Sequence, residues 1–205
     1  AAFARGDSAA ALADLDRCLA LDRWCRYLVT RGTVREAGGD LQGALEDFSE
    51  AVDSVRLHGP WNHDDDLNLS SSHWLSEDGF TAGASEDGAR ALYARGVTRY
   101  RLGDVDGACD DLTDAASNAY DPSHGDGSAR FAFADLIDRA LVTVLRARIA
   151  RGHEDDRPPL VEALRALGRR DEALVEARLV LASRPDDERL RRRYRKCFGD
   201  ALDEG

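Results

Sequence analysis

The sequence predicts an all-α protein made of stacked helical hairpins. Residues 31–51 and 95–115 align without a gap and share 9 identities in 21 positions. Apolar and small residues recur at helical spacing in both segments, and a Gly-Asp pair interrupts each one. A self-similar segment of this kind is the signature of a repeat architecture, in which neighbouring units bury a shared core.

The first hairpin is predicted to be incomplete. Gly6 and Asp7 stand 33 residues before Gly39 and Asp40, which is the period of a two-helix unit. Residues 8–22 therefore correspond to a second helix that lacks its own first helix. The missing helix predicts an exposed apolar edge, which preceding sequence, a partner or a second copy of the chain would cover.

Each Gly-Asp pair is predicted to form the turn of a hairpin. Gly39 and Gly103 can adopt the left-handed conformation that ends a helix. Asp40 and Asp104 can then accept hydrogen bonds from the free amides of the next helix. Small residues are predicted where the two helix axes approach to about 8 Å. They are Gly32, Ala44 and Ala51 in one hairpin and Gly96, Ala108 and Ala115 in the other.

Residues 57–88 separate the two clear hairpins and form an acidic insertion. The segment carries seven acidic residues, no Lys or Arg, and the aromatic residues Trp61, Trp74 and Phe80. Long segments without secondary structure are uncommon in compact domains and are often functional. Two interpretations stay open: a short helix around Leu67 to Leu75, or a mobile lid.

The C-terminal part is predicted to contain a long helix, a degenerate hairpin and a capping helix. One amphipathic helix is expected over residues 129–151, with Ser128 at its start and Gly152 at its end. Pro158 or Pro159 suits the first turn of the next helix. The last helix is expected from about Asp186 to Leu202, and it carries a run of basic residues.

Composition restricts the functional classes. The 28 basic and 39 acidic residues give a net charge of −11, which disfavours general nucleic-acid binding. No apolar run approaches the roughly 18 residues that span a bilayer, and the first residues lack a signal-peptide layout. Four scattered cysteines fit buried thiols in a reducing cytoplasm. The Arg-rich composition favours a bacterial source, and the absence of Met favours either a fragment of a larger protein or a processed chain.

No metal, cofactor or catalytic site is expected. Asp64, Asp66 and Asn68 resemble the start of a calcium loop, but Leu69 and Leu75 replace the required Gly and Glu. No nucleophile–base motif, phosphate loop or zinc helix is present, so the sequence predicts a protein that is not an enzyme. A metal-responsive lid is kept as an alternative; its other candidate ligands are His58, His63 and His73.

Taken together, the hairpin pattern resembles the tetratricopeptide repeat, a helix-turn-helix unit of 34 residues. The resemblance is carried by Gly32, Gly39, Asp40, Ala44, Phe48 and Ala51, and by Gly96, Gly103, Asp104, Ala108, Leu112 and Ala115. Residues 158–185 resemble a shortened unit, with Arg169 where Asp is expected. The resemblance implies an α-solenoid with a C-terminal capping helix. Its expected parts are residues 1–56, 57–88, 89–122 and 123–205.

The resemblance also implies a binding surface lined by the first helix of each unit. Carried onto this chain, that surface comprises Arg26, Thr30, Thr33, Arg90, Tyr93, Val97, Tyr100 and Arg101. Aromatic and Arg side chains dominate binding hot spots, which ranks the two tyrosines with Arg90 and Arg101 first. The clamp that some members use for a terminal carboxylate is not expected, since Val29, Thr33 and Val97 occupy its Lys and Asn positions.

The sequence thus predicts a protein-interaction scaffold, as a cytoplasmic module of a larger bacterial regulatory protein. Its expected partner is a protein or peptide, and a homo-oligomer can form through the incomplete first repeat. No membrane contact is expected. The alternative is a nucleic-acid-associated regulator that uses the Arg-rich segment Arg191 to Lys196.

Overall fold

The computed structural model describes residues 8–22, 24–58, 86–119 and 132–202. Within these ranges the chain is all-α, as predicted, with no β-strand. The helices are α1 (Ser8–Leu21), α2 (Cys25–Ala37), α3 (Leu41–His58), α4 (Glu86–Leu102), α5 (Val105–Ser117), α6 (Ala134–Ile149), α7 (Arg157–Ala166), α8 (Arg170–Ser183) and α9 (Glu188–Phe198). Short 3-10 turns cover Glu154–Asp156 and Gly199–Leu202.

The chain divides into two compact units, Ala1–Ala134 (unit 1) and Asp135–Gly205 (unit 2). In unit 1, α2 pairs with α3 and α4 pairs with α5. The hairpins stack because α4 also packs against α2 and α3, while α1 packs against α2. This arrangement confirms the predicted stack of helical hairpins.

The predicted features of the insertion, including the helix around Leu67 to Leu75 and the three acidic or amide residues at 64, 66 and 68, lie outside the described residues. No described helix combines the length and the hydropathy needed to cross a membrane.

Left-handed glycines end the first helix of each clear hairpin. Gly39 has φ 87° and Gly103 has φ 91°, a region that favours glycine because a Cβ would crowd the backbone. The amide of Asp40 then donates to the carbonyl of Arg35, which closes the turn. The predicted role of both glycines is confirmed.

The aspartates that follow cap the next helix in each hairpin. Asp40 Oδ1 accepts a hydrogen bond from the amide of Gly43 at 2.9 Å, and Asp104 Oδ1 accepts one from Gly107 at 2.9 Å. A Cβ on Gly43 or Gly107 would lie 2.2 or 2.3 Å from the carboxylate oxygen Oδ2. Glycine at these positions therefore leaves room for the cap.

Removal of one cap is expected to weaken unit 1 modestly. Asp104→Ala leaves the first amides of α5 without their side-chain acceptor, so the free energy of unfolding should fall by about 1 kcal/mol. All three tryptophans lie in unit 1, so urea unfolding followed by tryptophan fluorescence reports on this unit. The exposed substitution Asp110→Ala removes the same charge and should change stability by less than about 0.5 kcal/mol.

Small residues bring the helices of each hairpin together. Gly32 is buried against Phe48, and a Cβ at this position would lie 2.5 Å from the phenyl ring. A Cβ on Gly96 would lie 3.0 Å from Leu112. The bulky residue of the second helix thus occupies the space that glycine leaves in the first.

Unit 2 contains a second type of hairpin, formed by α7 and α8. Gly168 makes the turn with φ 70°. Arg169, which replaces the usual aspartate, makes no side-chain cap and pairs with Glu172 instead. Pro158 lies in the first turn of α7, as predicted.

Two helices of unit 2 are shorter than predicted. Helix α6 begins at Ala134, after a turn at residues 132 and 133, and Ser128 lies outside the described residues. Helix α9 ends at Phe198 because Gly199 takes φ 62°, and the chain continues as a 3-10 turn. Helix α9 packs on α8, and its Tyr194 and Phe198 side chains are buried, consistent with a final capping helix.

Candidate functional site

Helices α2 and α4 lie side by side and parallel. At their N-terminal ends Arg26 pairs with Asp87 at 3.6 Å, and at their C-terminal ends Arg101 pairs with Glu36 at 2.5 Å. Because both pairs join like ends, the two helices run in the same direction. The space between them is called the α2/α4 groove.

A cavity of about 330 Å³ opens at the N-terminal end of this groove. Its lining combines two arginines, two carboxylates, one threonine and one apolar residue. They are Arg26, Arg90, Glu86, Asp87, Thr30 and Val29. Positive and negative charges are equal in number, so the cavity favours a polar but uncharged group over a strongly charged one.

Aromatic rings and carboxylates hold both arginines in place. The guanidinium carbon of Arg26 lies 5.6 Å from the centre of the Trp24 ring, and that of Arg90 lies 4.6 Å from the Phe133 ring. Arg90 also donates to Glu86 Oε1 at 2.5 and 3.0 Å. A planar guanidinium held between a ring and a carboxylate is preorganised for binding.

Threonine hydroxyls on α2 supply hydrogen-bond acceptors. Thr30 Oγ1 donates to the carbonyl of Arg26 at 2.6 Å, and Thr33 Oγ1 donates to the carbonyl of Val29 at 2.8 Å. Each hydroxyl proton is therefore used within the helix. The oxygen lone pairs stay available to accept bonds from the N–H groups of a ligand.

Helix α4 carries two tyrosines. Tyr93 and Tyr100 are both half-buried. Burial raises the pKa of the Tyr93 phenol, and the nearby Glu36 carboxylate raises it further. The phenol consequently keeps its proton and can donate a hydrogen bond at neutral pH.

All eight predicted site residues lie on α2 or α4. The cavity brings together Arg26, Thr30 and Arg90. The ion pair with Glu36 places Arg101 at the opposite end of the groove. The cavity lining does not include the other four: Thr33, Tyr93, Val97 and Tyr100.

Sequence reasoning missed the two carboxylates of the site. Glu86 and Asp87 form the first turn of α4, where acidic side chains complement the positive end of the helix dipole. Both lie within residues 57–88, the predicted acidic insertion. Their position immediately before a helical apolar pattern was the signal that could have identified them.

Cys25 of α2 contacts α4 through its thiol, which is not reactive. Its thiol donates to the carbonyl of Asp87 at 3.8 Å. Burial raises the pKa of Cys25 to about 12, and the Asp87 carboxylate adds to the effect. The thiol stays protonated at neutral pH and acts as a packing group.

Behind the groove, an ionic cluster fixes α4 to α5. Asp111 is only 3 % exposed and accepts hydrogen bonds from Arg95 at 2.6 and 2.9 Å. Arg99 donates to the same carboxylate at 2.9 Å and to the carbonyl of Gly107 at 3.2 Å. Arg95 is itself buried, so its guanidinium is not available to a ligand.

The same cluster occurs in the other hairpin. Asp47 accepts hydrogen bonds from Arg31 at 2.7 Å and pairs with Arg35 at 2.8 Å. The hydrogen bonds that Arg31 donates to Asp47 raise the pKa of Arg31, and Asp16 of α1 adds a further contact at 2.7 Å. Arg31, Arg35 and Asp47 align with the α4–α5 cluster at an offset of 64 positions.

No group of three or more His, Cys, Asp or Glu side chains able to hold a metal ion occurs in the part of the chain that the structure describes. Asp64, Asp66, His63 and His73 lie outside that part.

Comparison with known proteins finds no matching family model and no matching curated protein. A solved structure described as the crystal structure of MamA is similar, with 17 % identity, 85 % of this chain and 87 % of that chain covered, and a TM-score of 0.40. At that identity and TM-score the likeness adds nothing to the fold that the hairpins establish.

Proposed function

We propose that this chain is a protein-interaction module and that the α2/α4 groove binds a segment of a partner protein. The observation that carries the proposal is the parallel pair of first helices, with a cavity between their N-terminal ends. The tetratricopeptide-repeat relationship is part of this proposal. The proposal also includes a bacterial, cytoplasmic setting and a place within a larger regulatory protein.

The dimensions of the groove support a peptide ligand. Helices α2 and α4 have 13 and 17 residues, so they are about 20 and 25 Å long. An extended chain advances about 3.3 Å per residue, so some six or seven residues fit along the groove. Threonine oxygens can accept bonds from its amides, and the Tyr93 hydroxyl can donate to a carbonyl.

The charge pattern supports a ligand of mixed character. Arginines and carboxylates alternate at the N-terminal end of the groove, while tyrosines occupy the middle and end of α4. Half-buried tyrosines offer a large apolar surface and a polar hydroxyl with little loss of side-chain entropy. We therefore expect the ligand to place apolar side chains near Tyr93 and Tyr100.

A peptide selection tests the proposal without knowledge of the partner. Random 12-residue peptides displayed on phage are selected on the full chain, and the best is labelled for fluorescence polarisation. The double variant Tyr93→Ala, Tyr100→Ala should bind that peptide at least about tenfold more weakly, because hot-spot tyrosines typically contribute more than 1 kcal/mol each.

Val175→Ala with Leu179→Ala is the matched control, because these side chains are 55 % and 45 % exposed on α8 and lie in unit 2. Circular dichroism checks that both double variants stay helical. Equal affinity of the tyrosine variant and the wild type, or loss of binding in the α8 variant alone, would contradict the groove as the binding site.

A further inference from the structure

We propose that the exposed face of α9 binds the acidic face of α5 in a second copy of this chain. This contact differs from the α2/α4 groove and from the incomplete first repeat. The proposal rests on three cations of α9 that the fold leaves unpaired, and on the uneven distribution of charge between the two units.

The three cations form one stripe. Arg189, Arg192 and Lys196 are spaced at i, i+3 and i+7, which places them on one face of a helix. All three are exposed, and none has a hydrogen-bond or ion-pair partner among the residues that the structure describes. The opposite face of α9 is buried through Tyr194 and Phe198.

Other basic residues of α9 are already engaged. Arg191 donates to the carbonyl of Pro185 at 2.9 Å, and Arg193 pairs with Glu162 at 3.1 Å. The basic run read from the sequence therefore separates into residues that hold the helix in unit 2 and residues available to a partner. Only the second group forms the stripe.

Helix α5 of unit 1 carries the complementary stripe. Asp106, Asp110 and Asp114 are exposed at i, i+4 and i+8, and α5 contains no basic residue. The cation stripe spans about 10 Å along its helix and the carboxylate stripe about 12 Å, so the two match in length. The two stripes can therefore face each other when the helices lie side by side.

The charge of the whole chain favours a second copy over nucleic acid. Residues 1–134 carry 24 acidic and 12 basic side chains, whereas residues 135–205 carry 15 acidic and 16 basic ones. A polyanion would be repelled by the acidic residues 1–134, whereas in the proposed contact the acidic unit of one copy meets the unit of the other copy whose charges nearly balance. The acidic unit of another copy instead presents carboxylates on a fixed helix.

The contact joins unlike surfaces, so it is head-to-tail. A heterologous contact of this kind continues beyond a dimer unless its rotation closes a ring. Exposed ion pairs contribute little each, so we expect weak association, with a Kd on the order of 1 mM or weaker at low salt. Salt should weaken it further, because the pairs are exposed to solvent.

Sedimentation velocity of the full chain tests the proposal. In 50 mM NaCl the sedimentation coefficient should rise with protein concentration, and in 500 mM NaCl that rise should largely disappear. Arg189→Glu with Arg192→Glu should abolish it at low salt. The control Arg139→Glu with Arg151→Glu changes the charge equally at exposed positions of unit 2 and should associate like the wild type.

A mixing experiment identifies the partner surface. Asp110→Lys with Asp114→Lys should prevent self-association by reversing the α5 stripe. Each of the two reversed variants should stay monomeric alone, whereas their mixture should associate, because each retains the surface that the other has lost. Groove variants should leave all of these results unchanged.

The proposal is overturned if the wild type is monomeric at all concentrations in low salt, or if the α9 variant associates like the control. It is also overturned if the mixture stays monomeric. Binding of a 20-base-pair DNA duplex by a monomeric wild type, lost in the α9 variant, would assign the stripe to nucleic acid instead.

Discussion

Replacing Asp111 by Ala is expected to lower the free energy of unfolding of unit 1 by about 3–5 kcal/mol. The carboxylate is 3 % exposed and receives hydrogen bonds from both Arg95 and Arg99. The guanidinium of Arg95 is buried as well, so the substitution leaves a desolvated cation without its counterion. Breaking a buried pair costs more than the pair itself contributes, because the remaining charge loses both water and partner.

Urea unfolding followed by tryptophan fluorescence measures this loss in unit 1. The neighbouring substitution Asp110→Ala removes an equal charge at an exposed position and should stay within about 0.5 kcal/mol of the wild type. Equal stability of the two variants would show that the Asp111 cluster does not hold α4 to α5.

Replacing Gly32 by Leu is expected to destabilise unit 1 by about 3 kcal/mol, at the upper end of overpacking effects. A Cβ alone would lie 2.5 Å from the Phe48 ring, which is itself fully buried. The added side chain can enter only if α2 and α3 move apart. Because α4 packs against both helices, that movement would disturb the α2/α4 groove as well.

A double variant separates this steric cause from a general effect of leucine. In Gly32→Leu with Phe48→Ala, the truncated ring leaves space for the new side chain. We expect the double variant to be at least about 1 kcal/mol more stable than the sum of the single effects predicts. Ala37→Leu, at the exposed end of α2, is the control and should be nearly neutral. Strict additivity would contradict the close contact.

The hairpins were predictable because their determinants are local. Gly39 and Gly103 indicate left-handed turns, and the aspartates that follow them indicate helix caps. Each of these features depends on only a few consecutive residues. The end of α9 was harder to predict from the sequence. Its helical pattern continues beyond Phe198, and only the conformation of Gly199 ends the helix.

The ionic clusters were not predicted, although the sequence contained a signal for them. Arg95, Arg99 and Asp111 are among the identities shared with the other hairpin, at positions 31, 35 and 47. Charged residues repeated on the core-facing side of a hairpin indicate internal pairing. The identities alone indicate repetition, whereas the burial of these residues depends on the packing of the two helices.

The groove was predictable in outline but not in its contacts. The resemblance placed the candidate residues on the first helices, and the structure locates all of them on α2 and α4. The ring that supports Arg90 comes from Phe133, which is 43 residues away and follows an intervening helix. Contacts of this kind depend on tertiary packing and are not encoded by local spacing.

A chemical-shift map of the full chain with the phage-selected peptide tests most directly whether the α2/α4 groove is the binding site. Amide shifts in a ¹⁵N–¹H spectrum report which helices the peptide contacts. We expect the largest changes on α2 and α4, within residues 26–36 and 86–101. Largest changes on α5, α8 or α9, with α2 and α4 unaffected, would contradict it.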